Sequence, residues 1–132
     1  DCAAILDPLF DKHRVIDHID HARITGDIAG SNMAGGEERY SQLNHFWSEI
    51  LDRRIDVWGE SKLVYRFLTR GDPHSGDFAE FGIAADDRIA QVMAVGRSNE
   101  HTALRYCVEK RVNALQCETV LKDPASDLKF LM

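Results

Sequence analysis

With 132 residues, 44% of them hydrophobic, the chain is long enough to bury a core as one domain without disulfides or metals to hold it. Its net charge of −6 argues against a nucleic-acid binder, which needs a basic face, and no run is long or apolar enough to span a bilayer. No secretory signal is visible, so a cytoplasmic location is expected, although a chain that opens on Asp1 leaves room for a start removed or left out.

In chain order, Asp1–Asp11 reads as a short helix, with Cys2, Ile5, Leu6, Leu9 and Phe10 at near-helical spacing. Pro8 is comfortable only in a first turn, so the helix breaks or restarts there. His13–Asp27 has two readings. As a helix it aligns His13, Asp17 and His21; as a strand it sets Ile16, His18 and Asp20 on one face. The β-branched Val15, Ile16 and Ile19 favour the strand. Ile28–Gly36 reads as a loop by its glycines. Glu37–Asp52 reads as the clearest helix, with Tyr40, Leu43, Phe46, Trp47, Ile50 and Leu51 as its stripe, acids at its start and Arg53 and Arg54 at its end. Ile55–Trp58 is a short strand or bend that ends at Gly59.

Ser61–Thr69, Phe78–Ala84 and Arg88–Val95 read as an antiparallel meander, joined by the turn formers of Gly71–Asp77 and by Ala85-Asp86-Asp87. Gly96–Asn99 breaks the chain. Glu100–Leu121 reads as one helix, capped by Ser98 or Asn99 and stopped by Asp123-Pro124. The tail Ala125–Met132 carries Leu128, Phe130, Leu131 and Met132, which must dock or meet a partner. Cys2, Cys107 and Cys117 lack CxxC spacing and fit reduced thiols. On one continuous helix, Cys107 and Cys117 stand about 15 Å apart and cannot bridge.

Three stretches carry a family resemblance. They are Asp1–Phe10 running into Val15-Ile16-Asp17-His18, then Gly35-Gly36-Glu37-Glu38 before the aromatic helix, and Ala85-Asp86-Asp87-Arg88-Ile89 between two strands. Over roughly residues 1–97 this order resembles the NTF2-like or SnoaL-like superfamily. The family's long first helix is absent, and Glu100–Leu121 lies beyond its meander. The resemblance implies an α+β fold, a curved antiparallel sheet wrapped as a cone around Glu37–Asp52, in a single NTF2-like domain over 1–132 with an extra C-terminal helix.

It also implies that an Asp or His on the first strand, facing the cone, acts as general base. His18, Asp20 and Asp17 are the candidates, in an apolar pocket that tunes their pKa. His18 and Asp20 on one strand face would stand roughly 6.6 Å apart, room for a shared water. The competing reading is a solvated strand edge. Tyr65, Trp58 and Tyr40 are candidate substrate-binding residues, Tyr65 as a polar orienter, against a core role for the helix aromatics. Arg66 and Glu80 are candidates for a cross-strand pair.

No metal or cofactor is expected: the histidines lack ligand spacing, and Gly30–Gly36 lacks GxGxxG or a P-loop lysine. Consecutive Asp72–Asp77 residues in one turn cannot form a triad. The expected function is a cyclase, isomerase, dehydratase or hydrolase acting on a small apolar molecule, with a homodimer formed through the sheet. The alternatives are a non-catalytic ligand-binding or dimerisation module and an acidic regulatory or adaptor protein that recruits a partner through its sheet and tail.

Overall fold

The computed structural model describes residues 2–132, which fall into two compact units, Asp1–Phe46 and Trp47–Met132.

The first unit opens on an antiparallel hairpin of β1 (Ile5–Asp7) and β2 (Lys12–Arg14), where a short helix is expected. Asp7 makes the difference. Its carboxylate accepts from the Leu9 N–H at 2.9 Å, turning the chain at Pro8, and its other oxygen meets Arg14 at 2.5 Å in a buried ion pair. The strand expected over Arg14–His21 is also replaced. His18 is an N-cap in extended conformation, its Nδ1 accepting from the Asp20 N–H at 3.4 Å, and helix α1 runs from Ile19 to Met33. An acidic residue in a first turn is favoured by the helix dipole, and that local signal outweighs the β-branched residues. The loop expected over 28–36 is therefore mostly helix. It ends at Ala34, before Gly35 with φ +100°.

The helix expected over Glu37–Asp52 does not form. Residues 37–44 hold no regular element, and His45–Ile50 is strand β3. Phe46, Trp47 and Ile50 suit a strand as well as a helix. The chain turns at Leu51, with φ +59°, into β4 (Arg53–Gly59).

The expected meander is observed with its first strand shifted: Ser61–Leu63 is a 3₁₀ turn, and the strands are β5 (Arg66–Asp72), β6 (Asp77–Ile83) and β7 (Ile89–Val95). The sheet has the order β3-β4-β7-β6-β5. Register aligns Leu68, Phe81, Val92 and Trp58 on one rung and Arg70, Ala79, Ala94 and Asp56 on the next. All eight are buried, and they share one face. Helices α2 (His101–Glu109) and α3 (Ala114–Lys122) pack on that face, contributing the buried Leu104, Cys107, Val108 and Leu121.

These are two helices where one is expected. Arg111 takes φ +48°, Asn113 caps α3 by accepting from the Leu115 N–H, and the connector bonds to the sheet through Ile89 N–H to Val112 O and Ala114 N–H to Asp87 O. Cys107 and Cys117 thus lie on separate helices, and the 15 Å separation argued from one helix does not apply. The tail docks through a 3₁₀ turn at Leu128–Leu131 with Leu128 buried.

The NTF2-like cone is therefore not the fold. The aromatic helix that a cone would enclose is an exposed edge strand, and α2 and α3 pack on the sheet instead. Among the described residues no helix is long and apolar enough to cross a membrane.

Candidate functional site

The sheet's inner face carries two buried charged side chains, Arg70 and Asp56, on one rung separated by Ala79 and Ala94. The small alanines leave room above them for a guanidinium. Consecutive residues at the start of α2 serve the two charges. Glu100 meets Arg70 at 2.6 Å, and His101 Nε2 lies 3.7 Å from Asp56.

Arg70 also donates to the carbonyls of Val120, Asp123, Pro124 and Ser126, so one guanidinium ties β5 to the end of α3 and to the tail. Glu100 accepts a second guanidinium from Arg97 at 2.5 Å, and Arg97 reaches on to Asp77. Burial pushes the Glu100 carboxyl up, but the hydrogen bonds from Arg97 and Arg70 outweigh it and leave it at about 2. Buried charges persist only when paired and hydrogen-bonded.

Asp56 holds Arg54 in a two-bond fork of 2.8 and 3.0 Å, and the Arg54 guanidinium lies 4.8 Å from the Trp47 ring centre. The His101 ring meets Trp58 edge-on at 5.2 Å, and its Nε2 lies 3.1 Å from the Gly96 carbonyl. These groups bond to one another, so their geometry holds strands, helix and tail in place.

The first unit carries a groove of about 530 Å³ between α1 and the hairpin, lined by Ile5, Leu6, Ile28, Arg39 and Tyr40 among others. The Tyr40 hydroxyl lies 3.3 Å from His21 Nδ1, their rings edge-on. Burial lowers the His21 pKa, as does the Arg14 charge, and burial followed by the Asp7 carboxylate raises that of Tyr40.

The sequence candidates are dispersed. His18 caps α1 and its ring lies 5.9 Å from Phe46. Asp17 is exposed just before the helix, and Asp20 lies in its first turn. The three do not share a strand face, as the expectation required. Tyr40 partners His21. Trp58 is buried, its ring edge-on to His101, whereas Tyr65 is 81% exposed. Arg66 pairs with Asp87 and Glu118 in place of Glu80.

The residues that sequence reasoning passed over are Arg70, Asp56, Glu100 and His101. A trace was present: Arg70 alternates with Leu68 and Asp56 with Trp58 on a buried strand face.

A model of the family described as "Reductase C-terminal" matches residues 45–132. The ferredoxin–NAD(+) reductase component of the anthranilate 1,2-dioxygenase system of Burkholderia cepacia is 28% identical over 125 residues, 95% of this chain and 30% of that protein. Among solved structures, the ferredoxin reductase for the CYP199A2 system of Rhodopseudomonas palustris has a TM-score of 0.81 at 21% identity, over 99% of this chain and 32% of that one. Putidaredoxin reductase, in its covalent complex with putidaredoxin, has a TM-score of 0.75 at 24% identity, over 86% of this chain and 27% of that one. The chain thus spans about a third of these relatives' length.

These findings overturn the NTF2-like or SnoaL-like resemblance and the function it implied. The relatives are reductases, not cyclases, isomerases, dehydratases or hydrolases, nor ligand-binding or adaptor modules. They likewise overturn the expected small apolar partner: the relatives carry ferredoxin and putidaredoxin in their names.

Proposed function

The chain belongs to the reductase C-terminal family, and from that premise we propose that it works as the C-terminal module of an NAD-linked oxidoreductase that passes electrons to a ferredoxin-type protein. The observation that carries this reading is the family match over residues 45–132 together with 28% identity to the anthranilate-system reductase component across 95% of the chain.

In this role the module is a scaffold. Its buried ions are consumed internally, Arg70 by Glu100 and the tail carbonyls, Asp56 by Arg54 and His101. No GxGxxG stretch is present in the sequence, and that motif is what places a dinucleotide pyrophosphate on a helix N-terminus. The dinucleotide chemistry then belongs to the remaining two thirds of such a reductase, and this module completes the surface around it.

Replacing the corresponding 30% of the Burkholderia reductase component with this chain tests the reading. The chimaera is expected to fold and to oxidise NADH with its ferredoxin as acceptor, and the same reductase with the segment deleted is expected to lose that turnover. A folded chimaera that reduces a small soluble acceptor with NADH but fails to reduce the ferredoxin contradicts the reading.

A further inference from the structure

One titratable ring at the start of α2 stands between two different acceptors. His101 is the first residue of the helix, and its Nε2 lies 3.1 Å from the Gly96 carbonyl and 3.7 Å from Asp56 Oδ2. A carbonyl and an ionised carboxylate only accept, so the hydrogen of the neutral ring sits on Nε2 and a second proton goes to Nδ1. The shorter distance is a hydrogen bond; the longer one is a charge contact that counts only when the ring is an imidazolium.

The two acceptors differ in kind. Gly96 is fixed to β4, its N–H donating to the Arg54 carbonyl at 3.3 Å. Asp56, on β4 itself, has a side chain 1% exposed, whereas its fork partner Arg54 is 46% exposed. The arginine's charge is therefore screened by water, and the buried carboxylate still attracts a second cation. The other charges around the ring are Arg97 and Glu100 just before it and Arg105 one turn along α2. Arg97 is answered by Glu100 and Arg105 by Glu109. The start of the helix disfavours a cation, and Asp56 is the group that opposes that effect.

We propose that His101 is a proton-driven latch of α2: neutral, it donates to Gly96, and protonated, it carries its Nε2–H over to Asp56 and draws the start of the helix toward β4. The preceding residue, Glu100, holds Arg70 and through it the tail, so the latch acts on the helix end that fastens the tail. This inference stands apart from the electron-transfer role proposed above.

Trp58 reports the event, because its ring meets His101 edge-on at 5.2 Å and a charged imidazole quenches a neighbouring indole more than a neutral one does. The 132-residue chain carrying Trp47→Phe keeps Trp58 as its one tryptophan. Between about pH 8 and 5, where a histidine titrates, its emission is expected to fall with the same midpoint that NMR finds for the His101 ring. His101→Gln is expected to abolish that change.

Two further variants test the partner. Asp56→Asn is expected to move the ring's midpoint to lower pH, and Arg54→Gln, at a half-exposed position, to move it to higher pH by removing the competing cation. An emission midpoint that differs from that of the ring, an emission change that survives His101→Gln, or a ring midpoint unmoved by Arg54→Gln or by a folded Asp56→Asn overturns the proposal.

Discussion

Arg70 and Glu100 lie thirty residues apart in the sequence and meet at 2.6 Å beneath α2, the arginine with no exposed surface and the glutamate with 14% of its side chain exposed. The pair holds the beginning of α2 to β5, and the same guanidinium holds the tail. Removing one member of a buried pair leaves an uncompensated charge, at a cost of about 3–5 kcal/mol. Glu100→Ala is expected to destabilise the second unit by that amount in urea unfolding followed by Trp58 fluorescence. Across the Arg70→Met and Glu100→Met cycle, a coupling of about 1–3 kcal/mol is expected. Additive losses would mean that the two side chains do not act on one another.

Glu100 also sets an acid limit. Its folded pKa of about 2 lies below its ordinary value of 4.5, so folding favours the ionised form. The sign follows: the contribution is fully present above about pH 4.5 and is lost as pH falls toward 2. It is on the order of 3 kcal/mol at neutral pH. Between pH 5 and 3 the chain is expected to lose stability faster than Glu100→Gln does, and parallel curves would rule the glutamate out as the source.

His21 acts in the other pH range and in the first unit. Burial holds its folded pKa below 6.5, so the folded state favours the neutral ring while the unfolded ring takes a proton near pH 6.5. Stability contributed by this site is therefore present above about pH 6.5 and falls as pH drops toward the lowered folded value. Proton NMR of the His21 ring is expected to show a midpoint below 6.5, and His21→Phe to flatten the pH dependence of amide exchange in α1. A midpoint at or above 6.5 would contradict the burial argument.

Glycine carries a different weight at two positions. Gly59 has φ +101°, and a β-carbon there would lie 2.1 Å from the Ala90 carbonyl oxygen. Gly26 lies inside α1 with nothing within 4 Å. Gly59→Ala is expected to cost about 2–3 kcal/mol or more through strain at the β4–β7 edge. Gly26→Ala is expected to stabilise by about 0.5–1 kcal/mol through helix propensity. Thermal unfolding of both variants checks the contrast, and a neutral Gly59→Ala would show that the strand end shifts freely.

The meander was legible because Gly71–Asp77 and Ala85–Asp87 are turn chemistry, and turns are local. The Arg70–Glu100 contact was not legible, since an arginine in a β-run reads equally as a solvent-facing residue until the covering helix is known. The segment from His13 to Asp52 misled for a related reason. Ile16 and Ile19 propose a strand and Phe46, Trp47 and Ile50 a helix, yet the cap at His18 and the edge position of β3 decide otherwise. The family match drawn from short motifs failed because a hairpin such as Ala85–Ile89 belongs to many α+β folds. The candidate acids and imidazoles of 17–20 drew attention by density, whereas the ions that organise the second unit are single residues on separate elements.

The most direct measurement is the ratio of ferredoxin reduction to reduction of a small soluble acceptor by the Burkholderia reductase carrying this chain in place of its own C-terminal segment. The account predicts that both activities persist, with the ferredoxin rate within about tenfold of the parent, a loss of about 1.4 kcal/mol at most. Retained turnover of the small acceptor with no ferredoxin reduction, from a chimaera as stable as the parent, would contradict it.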